Sequence, residues 1–195
     1  MAEIIIPEIL ASSVSFGLLR ADVETELLTG ASVFTEFTKA GWTYQAQLVV
    51  QTEAQGRAWA VAFAQLSRFS NHFKAGPPAY AGAVYTATIL QVDGAGQLGT
   101  SLNIKNGALS TTVIRAGEYF EVNGELKLAV TDCVTNGSGL GAVTFEPALR
   151  QSPANSSNIN LATPKAKFRL TSPQASWRVE PGKFYIINFD SVELL

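Results

Sequence analysis

The sequence predicts a mainly β protein of sandwich or split-barrel type, with one α-helix packed on a sheet and a small β-barrel or sandwich inserted into the chain. Three observations predict it. Trp42, Tyr44, Ala46, Leu48 and Val50 alternate with Thr43, Gln45 and Gln47, a period of two that puts the large side chains on one face of a strand. The period then changes, because Trp59, Ala62, Phe63, Leu66 and Ser70 fall at spacings of three and four and gather on one side of a helix. From residue 79 onward, short runs rich in Val, Ile, Thr, Tyr and Phe are separated by glycine turns at intervals of roughly ten residues.

Taken in order, residues 4 to 10 read as a short strand or an extended apolar arm, and Ser13 to Leu19, with Val14, Phe16 and Leu18 on one side, as a strand. Residues 22 to 38 are open between strand and loop: Asp22-Val23-Glu24-Thr25-Glu26 looks exposed and Gly30 breaks the run. The strand at 42–50 follows, then a helix over 53–70. Thr52 and Gln55 fit a capping box at its start, in which the two side chains satisfy backbone N–H groups left open by the first turn. Pro77-Pro78 ends that region in an extended connection. Strands are expected near 84–92, 99–104, 111–115, 118–122, 125–133 and 141–148. Asn123-Gly124 makes the clearest hairpin, since both positions tolerate positive φ. Asn136-Gly137-Ser138-Gly139 should turn the chain again, and 151–158 is a polar loop. Residues 164–170 and 183–194 read as two strands bracketing a loop that carries Trp177. Their length suits the strand at 42–50, so 1–78 and 160–195 are expected to form one discontinuous β domain, with 79–159 as an inserted all-β domain.

At 195 residues, 47% hydrophobic and 15% charged, the chain is long enough to bury a core and too apolar to be disordered. Fourteen basic against sixteen acidic residues, without a like-charge run, speak against a dedicated nucleic-acid binder, which needs a basic surface to displace counterions. The first ten residues are apolar but carry Glu3 and Glu8 where a secretion signal is basic, and Pro7 interrupts them; neither a signal peptide nor a membrane anchor is expected. The chain is therefore expected to be made in a cytoplasm, with no membrane partner. A single cysteine, Cys133, forbids an internal disulfide and reads as a small buried apolar residue.

Little in the chain points to catalysis. Gly94-Ala95-Gly96-Gln97-Leu98-Gly99 matches the dinucleotide string G-x-G-x-x-G, but Thr100-Ser101-Leu102-Asn103-Ile104 after it is strand-like, and a cofactor site needs a helix there. A turn is the expectation, and no cofactor. With one histidine, His72, and one distant cysteine, neither a zinc site nor a Ser/His or Cys/His set is supported. His72, just past the helix, reads as a polar terminator for end carbonyls. Trp42, Trp59 and Trp177 read as core before they read as a stacking platform. No enzymatic role is expected.

Arg57-Ala58-Trp59, then Leu66-Ser67-Arg68-Phe69-Ser70-Asn71-His72-Phe73, the glycine-rich Val92–Leu102, Ala116-Gly117-Glu118-Tyr119-Phe120-Glu121-Val122, Phe145-Glu146-Pro147-Ala148-Leu149-Arg150, Phe168-Arg169-Leu170 and Phe189-Asp190-Ser191-Val192-Glu193 occur in an order that resembles a family of tail-tip structural proteins of tailed bacteriophages, similar to distal tail proteins. The resemblance runs over most of 41–193, with Glu118 where Asp is more usual and no acidic residue in the turn at 136–141. It implies a virion protein of the tail, made in the host bacterial cytoplasm. Such a protein forms a ring with itself, commonly a hexamer, and joins the tail tube to the hub or fibres. A ring subunit needs edge strands and apolar arms that find neighbours. Ile4, Ile5, Ile6, Ile9 and Leu10 are the candidate inter-subunit arm, with Leu194 and Leu195 at the other end. Two other classes stay open: a carbohydrate-binding β module, which would expose aromatics such as Tyr80, Tyr85 or Trp177, and a small hydrolase with carboxylates near His72 or Asp132.

Overall fold

A computed structural model describes residues 2–7, 11–19, 23–26, 32–35, 40–50, 52–68, 70–83, 89–172, 176–180 and 184–194. In chain order the elements are β1 (Ala11–Leu19), β2 (Val23–Glu26), β3 (Ser32–Thr35), β4 (Gly41–Val50), α1 (Glu53–Leu66), β5 (Phe73–Ala75), β6 (Gln91–Val92), β7 (Gly99–Lys105), β8 (Thr112–Ile114), β9 (Tyr119–Val122), β10 (Glu125–Ala129), β11 (Cys133–Val134), β12 (Gly141–Leu149), β13 (Ile159–Asn160), β14 (Ala166–Leu170), β15 (Ser176–Glu180) and β16 (Phe184–Glu193). The protein is mainly β, with a single helix among the described residues. The chain divides into two compact units: Met1–Leu18, Trp42–Pro78 and Ala166–Leu195 in the first, Leu19–Gly41 and Ala79–Lys165 in the second. Residues 19–41, grouped with the first domain by the sequence reading, thus belong to the second, which also runs on from 159 to Lys165.

The first unit is one sheet in the order β1-β4-β16-β14-β5. β16 lies against β4 from Tyr185↔Val50 to Val192↔Thr43, so the last strand returns to the strand that the period-two signal marks most clearly. Its other edge is shared: β14 pairs at Phe168↔Glu193 to Leu170↔Ser191, and β15 at Ser176↔Asn188 to Glu180↔Phe184. Trp177 therefore stands in a strand, opposite Ile187, and not in a loop. Flanking prolines at 173 and 181 suggest a loop to sequence reasoning, but the backbone partners offered by β16 make the segment extended.

Trp42, Tyr44, Ala46 and Leu48 are buried, as the alternation requires, and so are Trp59, Ala62, Phe63 and Leu66 of α1. Phe189 joins the two sets, its ring 6.2 Å from Tyr44, 6.0 Å from Trp59 and 5.5 Å from Phe63. Thr52 caps the helix by accepting the Gln55 N–H at 3.3 Å, but the reciprocal bond runs between side chains, from the Thr52 hydroxyl to Gln55 Oε1 at 2.9 Å. The helix ends at Leu66 instead of 70: after the last i→i−4 bond, from Ser67 N–H to Phe63 O, the Arg68 N–H turns to Gln65 O, which Asn71 Nδ2 also caps.

The second unit holds a six-stranded sheet, β13-β9-β10-β12-β7-β6, a ribbon of β8 with β11, and the β2–β3 hairpin, which settles the ambiguity at 22–38 for the residues described there. Sheet and ribbon share one aliphatic core, with Leu102, Ile104, Val113, Ile114, Val122, Cys133 and Val143 all buried. Asn123 and Gly124 turn β9 into β10 with φ of 53° and 76°, the paired positive values of the expected hairpin. Asn136 Oδ1 accepts the N–H groups of Ser138 and Leu140, an Asx-type turn. The strand expected over 125–133 stops at Ala129, and Cys133–Val134 forms its own pairing with β8. Of the strand expected over 84–92, residues 84–88 lie outside the described residues, and 91–92 pair with β7.

Candidate functional site

The outer margin of the first unit's sheet, next to β5, brings His72 together with the start of the candidate arm. β5 pairs with β14 at Phe73↔Phe168, Lys74↔Lys167 and Ala75↔Ala166. Just before β5, His72 takes the N-terminal segment as a parallel neighbour: it donates its N–H to Ala2 O at 3.1 Å and accepts the Ile4 N–H at 2.8 Å. An ion pair of 2.9 Å between Lys74 Nζ and Glu3 Oε2 closes the contact. That ammonium holds the Glu3 carboxyl below its usual range. Ile4 and Ile6 are half-buried, whereas Ile5 is 91% exposed. Ile9, Leu10 and Leu195 lie outside the described residues.

His72 is not the terminator of α1, since Asn71 performs that task. Its imidazole is buried, with Nδ1 lacking a hydrogen-bond partner. Burial pushes its pKa below the ordinary value; Lys167 and Lys74 push the same way, and Glu3 opposes them. At the helix end, Arg68 and Arg169 line a small depression of about 10 Å³ together with Asn71 and Leu170.

The other candidates are accounted for singly. Gly94, Gly96 and Gly99 have φ of 90°, 80° and 85° and open a strand, as a turn requires. Gln97 staples that turn, donating to Asp93 O at 2.8 Å and accepting from Asn103 N at 2.7 Å. Cys133 is buried, and burial pushes its thiol up to about 11, which makes it a poor nucleophile. Trp42 and Trp59 are core residues. Tyr80 is half-buried, its hydroxyl bonded to both Tyr119 N and Tyr119 O. Tyr85 and the side chain of Trp177 lie outside the described residues. Asp132 accepts the Ala116 N–H at 2.8 Å, a turn contact. Among the described residues no three His, Cys, Asp or Glu side chains gather in a metal-holding group.

Sequence reasoning missed a buried ion pair. Register places Glu125 opposite Val122 and Lys127 opposite Phe120, which turns both charges to the core face. Lys127 is wholly buried and donates to Glu125 Oε2 at 2.7 Å and to Ala148 O at 2.9 Å. Glu125 also accepts the N–H groups of Arg150 and Gln151, so the pair fastens the end of β12 to β10. Glu193 in the first unit is its counterpart, a buried carboxylate accepting the Trp42 N–H at 3.0 Å. Both groups satisfy backbone, which is what structural ionic residues do. Comparison of the chain with protein-family models and with curated proteins gives no match in either case.

Proposed function

We propose that this chain is a structural protein of a bacteriophage tail, a distal tail component that closes a ring with copies of itself, as a hexamer, and joins the tail tube to the hub or fibres. The observation that carries the reading is the ordered series of motifs from Arg57 to Glu193, and the physical features of the first unit suit it. β1, Ala-Ser-Ser-Val-Ser-Phe-Gly-Leu-Leu, ends the sheet without one charged residue or proline, so nothing along it discourages a neighbouring strand. Ile5 presents its side chain to water beside it in sequence, on the segment read as an inter-subunit arm. A role in assembly, in the virion and without enzymatic activity, also fits the absorption of Cys133, Trp42 and Trp59 into the cores. No helix among the described residues is long and apolar enough to cross a membrane.

Light scattering on the purified chain tests this directly. The expected result is a closed oligomer that Ile5→Glu, a substitution at an exposed position, reduces to monomer. A chain that stays monomeric at every concentration reached, and that binds an immobilised glycan instead, would favour the carbohydrate-binding reading; that reading needs exposed aromatics, and Tyr80 is tied to Tyr119.

A further inference from the structure

His72 occupies an unusual position for a titratable side chain. Its backbone N–H and C=O both hold the N-terminal segment, so whatever disturbs the ring disturbs that attachment. Only 8% of the residue is exposed, and Nδ1 is buried without a hydrogen-bond partner. A neutral imidazole tolerates this as the Nε2–H tautomer, but an imidazolium has two N–H groups to satisfy, and the one on Nδ1 has no acceptor to reach. The neighbouring charges add to the difficulty. Alternation puts His72, just before β5, on the same face as Lys74, and Lys74 stands directly opposite Lys167 of β14. Among the described residues, Glu3 from the N-terminal segment favours the cation. Glu3 is itself paired with Lys74 at 2.9 Å, so its charge is shared between that ammonium and the ring.

We propose, independently of any role in tail assembly, that His72 is a proton-operated latch: protonation of its imidazole frees the Ala2–Ile4 segment from the margin of the first unit's sheet. In the closed form the ring is neutral and its Nδ1 is shut away from water. In the open form it meets water, which accepts the second N–H and screens Lys74 and Lys167. Proton binding and opening are therefore linked, each favouring the other. Among the described contacts the segment is held by two backbone hydrogen bonds and by an ion pair whose partners are 35% and 45% exposed, so a modest change in the ring's favour suffices to release it. Opening uncovers the backbone N–H and C=O of His72, just before β5, and frees the half-buried Ile4, which is a change a neighbouring chain can read.

Because His72 is the sole histidine, its imidazole C–H resonances in a proton NMR titration need no assignment. Hydrogen-exchange protection of the Ile4 amide, corrected for intrinsic chemistry, is followed on the same sample, with the Leu48 amide of β4 as an internal reference. The expected result is that His72 titrates below the ordinary histidine value. Ile4 protection should fall several-fold between about pH 7.5 and 5 along the same curve, while Leu48 stays protected. His72→Gln, which cannot titrate, should abolish the fall. A His72 midpoint at or above the ordinary value, Ile4 protection that stays level while the ring titrates, or a fall that persists in His72→Gln would each overturn the latch. Should His72→Gln not fold, the two wild-type readings decide the matter alone.

Discussion

In the first unit, aromatic rings run through the core in a chain: Phe16 to Trp42 at 4.9 Å, Tyr44 to Phe168 at 5.5 Å, Phe168 to Phe73 at 5.7 Å and Phe63 to Trp59 at 5.5 Å. In the second, aliphatic side chains fill the same role around the contact of Phe120 with Phe145, and a lysine–glutamate pair stands among them. The difference is one of specification. Large planar rings have few ways to interlock, so shape alone selects one arrangement in the first unit. Valine, leucine and isoleucine pack in many ways, and in the second unit the Glu125–Lys127 pair, which must find each other and the end of β12, restricts the register.

Substitutions at the centres of the two cores should break that contrast with the largest effects. Trp59→Ala is expected to cost about 3–5 kcal/mol in urea-unfolding experiments, through a cavity that no second change nearby repairs. Lys127→Met is expected to cost a similar ~3–5 kcal/mol for a different reason, because the Glu125 carboxylate stays buried without its cation. Adding Glu125→Gln to Lys127→Met should recover at least half of the loss, since the stranded charge is gone and an amide oxygen still accepts from the β12 end. A double variant as unstable as Lys127→Met alone would mean that the lysine matters by filling space, and the contrast between the two cores would collapse.

A smaller effect separates the units on the alkaline side. Cys133 belongs to the second core, and burial raises its thiol from 9.0 to about 11. Between those values the unfolded chain has lost the proton and the folded chain keeps it, so the folded state binds more protons and stability falls as pH rises. Below pH 9 the group contributes no slope. The expected loss is about 1–2 kcal/mol by roughly pH 10.5, and Cys133→Ala should flatten that part of the profile. In the native state the thiol should resist alkylation under conditions where the urea-unfolded chain reacts at once.

What could be read from the sequence was what is local. The helix face from Trp59 to Leu66, the strand of Trp42 to Leu48 and the Asn123-Gly124 turn each depend on neighbours in the chain, and each is where the pattern puts it. β5 and β13, three and two residues long, are too short to carry a period and exist because β14 and β9 offer them partners. Glu125-Leu126-Lys127-Leu128 shows the limit most clearly. Alternation alone would turn the leucines inward, but the register with Phe120 and Val122 turns the charges there, and Leu126 is buried on the opposite face as well. The candidate site was harder still. His72 was visible as a lone histidine, but its neighbour Glu3 lies at the far end of a pairing that no spacing rule connects.

The smallest expected effect concerns the one element the second unit lacks among its described residues, a helix. α1 begins with Thr52, whose hydroxyl oxygen accepts the Gln55 N–H while its proton goes to Gln55 Oε1. Thr52→Ala removes both bonds at once. The cap is exposed, so water replaces the lost acceptor and the cost falls toward the lower part of the usual range, about 0.5–1 kcal/mol. Asp at the same position keeps the acceptor, adds charge next to the helix's positive end and should be as stable as the native residue or slightly more so, although Glu53 already supplies part of that charge. The ring core beneath α1 is buried by Trp59, Phe63 and Leu66, all beyond the first turn, so fraying there should leave the near-UV spectrum of the native state unchanged. If Thr52→Ala instead cost as much as Trp59→Ala, the helix would be held by its end and not by its face, and shape complementarity would not be what specifies the first core.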